Sequence, residues 1–313
     1  MNIVEHILKS EYFINQPPVL VDIGASGELN PKWKLIARHS ICIAFDADDR
    51  EFKVKEETNS QFLNLITINR IVTGNSDYQP GFFLAKSPFC SSILEPDEAS
   101  LSSWIFSDLF EVTGKKNMPG ISLLQAFQDA GINYVDWFKS DTQGTDLRLF
   151  VSLPSSIKEN ILAAEFEPGI MDAYKNEDKL RSVMEEMEKN QYWLSSMVVK
   201  GSQRISRKNA APYGFYASSK IIKTSPGWAE ITYLRNLSNL STRQLLLLFV
   251  FAIIENQFGF ALEIAEWGTK KQAESIFIDC RDFADRKIRK EKMKLPFILV
   301  KRRLIKLLGG ING

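Results

Sequence analysis

Three stretches of the chain carry side chains of a type and spacing that could do chemistry. The first is Asp22-Ile23-Gly24-Ala25-Ser26-Gly27, an acidic group followed by two glycines in the pattern G-x-x-G. Glycine allows positive φ and lets a ligand lie against the backbone. A helix beginning there would offer free N–H groups to an anion. The second is Asp46, which stands 22 residues beyond Gly24. A carboxylate ~20 residues after such a turn accepts hydrogen bonds from ribose hydroxyls. Asp48 and Asp49 could serve nearby as plain helix caps. The third stretch pairs Lys139 with Asp141 and adds Glu165 and Glu167. Strand alternation puts Lys139 and Asp141 on one face. A carboxylate there suits a general base, Lys139 suits an orienting charge, and two carboxylates could also hold a divalent cation. The glycine turn and the acid together point to an adenosine-bearing cofactor. They do not choose between a nicotinamide dinucleotide and S-adenosylmethionine. The third glycine of G-x-G-x-x-G is missing and no G-x-x-x-x-G-K-[ST] run occurs, which weakens the dinucleotide and nucleoside triphosphate readings.

These groups are useful only if the elements around them bring them together. Residues 1–17 read as an N-terminal helical segment closed by Pro17-Pro18. Val19 to Ile23 is a continuous apolar run, as in a strand buried on both faces. Asn30-Pro31 starts a helix to about Arg38, and a second buried strand, Ile41 to Phe45, ends at Asp46. Residues 50–57 read as a charged helix and 62–68 as a third strand. Residues 70–120 read as loops and short edge strands. A helix over 121–130 ends at Gly131. Strands are expected over 134–141 and 161–166, with a surface helix over 175–190. The last strands fall at 192–199 and 230–234, and 212–222 reads as a further strand or hairpin arm. Such alternation predicts an α/β fold with a doubly wound, mostly parallel sheet of seven strands. Ligands then bind at the carboxyl ends of the strands, near the reversal of strand order. From Ser241 the pattern is all helix, with a helical extension over 241–290 and a basic tail over 291–313. Leu245 to Ile254 is apolar all round, so it belongs in a core or an interface.

At these positions the chain resembles FkbM-type methyltransferases. The resemblance rests on Leu20-Val21-Asp22-Ile23-Gly24-Ala25-Ser26-Gly27, Ala44-Phe45-Asp46, Ser91-Ser92-Ile93-Leu94-Glu95-Pro96 and Ile161-Leu162-Ala163-Ala164-Glu165-Phe166-Glu167. Its most specific part is Trp137-Phe138-Lys139-Ser140-Asp141-Thr142-Gln143-Gly144-Thr145-Asp146-Leu147, similar to the pattern F-L-K-[IL]-D-x-[EQ]-G-x-E-L. It spans residues 18–235. Ser140 stands for an apolar residue, Asp146 for Glu, and Phe45-Asp46 for the common Phe-Glu. The resemblance implies a Rossmann-like class I methyltransferase domain over 18–235 that transfers methyl from S-adenosylmethionine to a hydroxyl, typically of a sugar or natural product. By that analogy Asp22, Gly24, Ala25 and Gly27 border the methionine part of the cofactor, and Ser26 belongs to the same cofactor-binding turn. Asp46 then meets the ribose, and Asn69 faces the adenine. Asp141 is the expected base, with Glu165 second and Lys139 as electrostatic partner. Ser91 and Ser92 could line the acceptor pocket, with Trp104, Phe106 and Tyr78 stacking on a sugar.

Composition sets the limits. Hydrophobic residues at 44% and charged residues at 25% are ordinary globular usage, which argues against disorder. Only His6 and His39 exist, so a histidine-rich metal site is excluded and a carboxylate is the better base. Cys42, Cys90 and Cys280 are far apart and form no C-x-x-C pair. With 39 Lys+Arg against 38 Asp+Glu, nothing steers the whole chain to nucleic acid. Residues 281–313 nevertheless carry eleven Lys/Arg against three Asp/Glu. Basic and apolar groups interleave over 286–308, as in segments that lie on anionic membrane surfaces. The start shows no signal peptide, and the longest apolar run is far short of the ~20 residues a bilayer needs. The expectation is a cytoplasmic protein with peripheral contact at the inner membrane face through the tail. The competing functions are a small-molecule natural-product methyltransferase and a non-catalytic methyltransferase-fold partner in glycan assembly.

Overall fold

The apolar runs at Val19–Ile23 (β1) and Ile41–Phe45 (β2) form neighbouring parallel strands, and Asn64–Ile68 (β3) pairs parallel on the outer side of β2. Four short strands follow, Ile71–Thr73 (β4), Gly81–Ala85 (β5), Val112–Asn117 (β6) and Gly120–Ser122 (β7). They make two small sheets, β4 parallel to β7 and β5 antiparallel to β6. The chain then returns to the far side of β1 as Trp137–Ser140 (β8) and continues with Ala163–Phe166 (β9). Tyr192–Gln203 (β10) and Thr224–Arg235 (β11) close the sheet as a long antiparallel hairpin, β11 lying against β9. The order is β10-β11-β9-β8-β1-β2-β3. The protein is therefore an α/β chain with a mostly parallel central sheet of seven strands, compatible with a Rossmann-like fold. Strand order reverses between β1 and β8. This is a computed structural model that describes residues 3–25, 29–47, 61–74, 80–272 and 274–296.

The chain divides into two compact units, residues 8–236 and residues 1–7 with 237–313. In the first, one face of the sheet buries Val21, Ile23, Ile43, Phe45, Phe138 and Phe166 against the helices Leu123–Asp129 and Asp146–Ser152. Phe138, Phe150 and Phe166 meet edge-on or tilted with ring centroids 5.6–6.0 Å apart. Each fully enclosed Phe contributes about 1.5–3 kcal/mol of transfer free energy, so the carboxyl ends of β8 and β9 are held in fixed register.

In the second unit, helix Thr242–Ile254 opens with a capping box between Ser241 and Gln244 and is buried from Leu245 through Phe251. It is followed by Phe258–Lys271 and Ile276–Met293. The last two helices cross so closely that a Cβ on Gly268 would lie 2.3 Å from Phe277. No helix among the described residues is long and apolar enough to cross a membrane.

Three local expectations change. Residues 1–17 hold two short helices, Ile3–Leu8 and Glu11–Ile14. The helix expected over 30–38 is two 3-10 turns, Pro31–Leu35 and Ala37–His39. The hairpin arm expected over 212–222 is helical, a 3-10 turn at Ala211–Tyr213 and a helix at Phe215–Ile221. Gly214 at φ 77° breaks the chain between them, and only Ser218 of the second turns fully inward. An extended reading needs alternate buried positions, and none are there. The expected helix at 50–57 and the tail from 297 onward lie outside the described residues.

Candidate active site at the carboxyl ends of the strands

The turn after β1 is set by close approach. Gly24 has φ +83°, and a Cβ there would lie 2.0 Å from the carbonyl oxygen of Asp141. Asp141 donates its N–H to Ile23 O at 2.9 Å. The N–H groups of Gly24 and Ala25 both donate to Phe45 O at 2.9 Å. The ends of β1, β2 and β8 are thus stitched together, and this brings Asp46 and Asp141 to either side of Gly24.

Two hollows meet at that point. A cavity of about 290 Å³ and a smaller one of about 80 Å³ share Gly24, Asp46, Phe82, Ser91 and Asp141 in their walls. The smaller is completed by Phe45, Arg70, Thr142 and Thr145 among others. Asn69 donates to the carbonyl of Asp46 at 3.1 Å and lines neither; its own hollow, of about 340 Å³, lies along β3. Ser26, Gly27, Asp48, Asp49 and Tyr78 lie outside the described residues.

The loop after β8 is tight. Gln143 and Gly144 both have positive φ, 56° and 109°. Ser92 donates to Gln143 O at 2.8 Å, so Ser92 holds this turn while its neighbour Ser91 lines the cavity. Gln143 Nε2 donates to Asp141 Oδ1 at 2.6 Å. The Tyr174 hydroxyl donates to Cys90 O at 2.8 Å and lies 3.2 Å from Gln143 Oε1. Below the turn Asp146 Oδ1 accepts from Ser140 Oγ at 2.6 Å and from the N–H and Oγ1 of Thr142, both at 2.8 Å. Its Oδ2 is buried with no partner. Burial, and then the charge of Asp141, push the Asp146 carboxyl up to about 7.

Two carboxyls face the larger cavity from adjacent strands, Asp141 after β8 and Glu167 after β9. Trp228 Nε1 donates to Glu167 Oε1 at 2.8 Å. Burial first, then the charge of Asp141 and a hydrogen bond to it, hold the Glu167 carboxyl far above the ordinary carboxylate range. Glu167 therefore keeps its proton at neutral pH. Glu177, in the same wall, accepts from Ala173 N and from Lys179 Nζ at 2.7 and 2.6 Å. Burial pushes the Cys90 thiol up to about 11, so it stays neutral. Phe82, Phe106, Phe110, Tyr174 and Trp228 supply the apolar wall. No Lys, Arg or His of the described residues lines this cavity, and no group of three or more His, Cys, Asp or Glu among them could hold a metal ion.

The remaining expected residues form a different constellation. Asp22, Lys139, Glu165 and Thr232 are register neighbours across β1, β8, β9 and β11. Asp22 is fully enclosed, and Lys139 Nζ donates to its Oδ1 at 2.5 Å. Burial alone would lower the Lys139 ammonium, but Asp22, Asp141 and Glu165 outweigh it and hold it above its usual range. Glu165 accepts from Asn30 Nδ2, Lys32 Nζ and Trp137 Nε1 at 3.0, 3.1 and 2.8 Å. None of Asp22, Lys139 and Glu165 lines either hollow at the Gly24 turn. Ala25 is buried beside the turn. Trp104 is buried and stacks edge-on against Phe106, which does face the cavity.

Sequence reasoning gave little weight to Glu167, Gln143, Tyr174, Glu177 and Trp228. Glu167 carried a signal, since Glu167-Pro168 closes the fifth strand, and Gln143 stood within the fourth-strand motif; Tyr174, Glu177 and Trp228 arrive from segments farther along the chain. No family model matches the chain, and no curated protein matches it.

Proposed function

We propose that residues 18–235 form an S-adenosylmethionine-dependent O-methyltransferase acting on a hydroxyl of a sugar or glycan. One observation carries this reading: Gly24, Asp46 and Asp141 converge on two adjoining hollows at the point where strand order reverses. That is where a wound α/β sheet takes its ligand. The sheet order also suits the class I methyltransferase arrangement implied by the FkbM-type resemblance. The residues present fit the cofactor. The backbone at Gly24 and the carboxylate of Asp46 would hold its ribose end in the smaller hollow, with Thr142 beside them. When bound, the cofactor supplies a methyl already activated on a positively charged sulfur. A cavity walled by carboxyl groups and aromatic rings favours such a charge.

The chain's own residues do the rest. Trp228 fixes Glu167, whose protonated form is favoured by burial and by the charge of Asp141, so that Asp141 is left as the proton acceptor. Gln143 holds Oδ1 of Asp141 from the other side. Asp141 is thereby aimed into the cavity and takes the proton of the acceptor hydroxyl as the new C–O bond forms. Aromatic side chains exclude water and orient the acceptor. Alignment of this kind can supply up to ~7–11 kcal/mol of a barrier.

Calorimetric titration of the full chain with S-adenosylmethionine and S-adenosylhomocysteine tests the reading. Saturable binding is expected, and Asp46→Ala should weaken it at least about tenfold through loss of two ribose hydrogen bonds. Absence of binding for either ligand overturns the proposal.

A further inference from the structure

The hairpin β10–β11 carries an excursion over residues 204–223 that the proposed chemistry does not use. This segment contains five cations, Arg204, Arg207, Lys208, Lys220 and Lys223, and no Asp or Glu. Arg204, Lys208, Lys220 and Lys223 are exposed. Apolar groups stand among them with unusual exposure: Tyr216 at 80%, Ile221 at 72% and Tyr213 at 65%. Single exposed apolar residues are ordinary, whereas a cluster rimmed by one sign of charge marks an interaction surface.

The excursion is anchored to the cavity wall. Arg207 Nη1 donates to Ile105 O at 3.1 Å and to Asp108 Oδ1 at 2.7 Å, and its guanidinium lies 4.1 Å from the Phe215 ring centre. Gln203 Nε2 bridges Ser219 O and Thr224 Oγ1, both at 3.1 Å. Phe106 and Leu109 on one side, and Gly227 and Trp228 on the other, face the cavity. Arg207 thus builds the element, and Lys220 lies 5.6 Å from the Tyr216 ring centre. Among the described residues no acid pairs with Arg204, Lys208 or Lys223.

We propose that residues 204–223 dock the protein on an anionic lipid bilayer. The charge calls for an anionic partner. The choice of a bilayer follows from the apolar members. Tyrosine suits the headgroup level, where an apolar ring and a polar hydroxyl are both satisfied. Ile221 and the exposed part of Phe215 gain from leaving water for acyl chains and have no comparable use along a phosphodiester backbone. The cation count is too small for tight nucleic-acid binding, which grows with each phosphate neutralised. This docking does not depend on the methyl-transfer reading.

The test is sedimentation of the full chain with vesicles of phosphatidylcholine alone and with roughly 30 mol% phosphatidylserine. Wild type should partition strongly to the anionic vesicles and weakly to the neutral ones, with loss at high salt. Each cation near an anionic surface strengthens binding about fivefold. The triple variant Arg204→Glu/Lys208→Glu/Lys223→Glu should therefore bind at least about a hundredfold more weakly. Tyr213→Ser/Tyr216→Ser should lose severalfold while keeping the salt dependence. Unchanged melting of both variants shows that they fold. Three results overturn the proposal: equal partitioning of wild type to both vesicle types, wild-type binding by the triple variant, or capture by a soluble polyanion such as heparin or RNA without capture by vesicles.

Discussion

Two carboxylate-bearing rows stand only two residues apart along the same pair of strands, and they do opposite things. Lys139 and Glu165 sit within β8 and β9, in register with Asp22 and Thr232, and Lys32 closes the row. Every acid there faces a cation, and Asp22 is sealed from water. Asp141 and Glu167 lie just past the strand ends, where no described cation lines the cavity and burial with the charge of Asp141 favours the protonated form of Glu167. A neutralised row is a structural device, whereas an acid pair in a concave site that no described cation lines is ready to take a proton or a positive charge. What separates the two is position relative to the strand end, not residue type.

The largest effect expected from this contrast is on folding. Lys139→Ala leaves Asp22 enclosed without its cation, and removing one partner of a buried pair costs about 3–5 kcal/mol. Lys32, whose side chain is 36% exposed, pairs with Glu165 at the surface end of the row. Lys32→Ala should cost about 0–1 kcal/mol. Chemical denaturation of both variants checks the ordering, and equal losses would break the distinction between the sealed and open ends.

Asp141→Asn should do the reverse. Its side chain keeps its shape and an acceptor oxygen for Gln143, so stability should change by less than about 1 kcal/mol. Methyl transfer to the true acceptor should fall about 10²–10⁴-fold with loss of the base. Near wild-type turnover in a single-turnover assay would remove Asp141 from its role.

This contrast was only half legible in the sequence. β1 and β2 were readable because a strand buried on both faces is an unbroken apolar run, and Gly24 and Asp46 were readable because each follows such a run; Asp141 was readable from the motif around it. Lys139 and Asp141 were read as one face by strict alternation. The strand ends at Ser140, however, and of the two only Asp141 lines the cavity. The two small sheets within 70–120 are made of strands too short and too exposed to show a period. Tyr174 reaches the cavity from the segment after β9 and Trp228 from β11, and no local pattern announces that.

A third test reads the turn beneath Asp141. The Asp146 carboxyl is raised to about 7 in the folded chain, from ~3.9 when unfolded. Between those values the folded state holds one more proton, so stability falls as pH rises through the window. Below ~4 this cost vanishes, and above about 7 it is complete and constant. The slope from one such group is about 1.4 kcal/mol per pH unit. Asp146→Asn should flatten the pH dependence of the denaturation midpoint between pH 4 and pH 7 by about that amount. Identical slopes in variant and wild type would mean that Asp146 is ionised without cost, and the shared turn would no longer distinguish the cavity from the paired row.

The smallest expected effect discriminates best. Glu167 keeps its proton in the fold because burial and Asp141 both oppose its charge, whereas Glu165 accepts three donors that favour its charged form. Gln is close to a protonated Glu in shape and charge. Glu167→Gln should therefore leave stability at neutral pH within about 1 kcal/mol of wild type, since the hydrogen bonds from Trp228 and to Asp141 can both be kept. Glu165→Gln should cost more, about 1–3 kcal/mol, because Lys32 loses its anion and the row gains a donor where it needs an acceptor. The two variants differ by one isosteric change made two residues apart on one strand. If Glu167→Gln proves the more damaging to the fold, the carboxyl of Glu167 is held as an anion, and the contrast between the two acids fails.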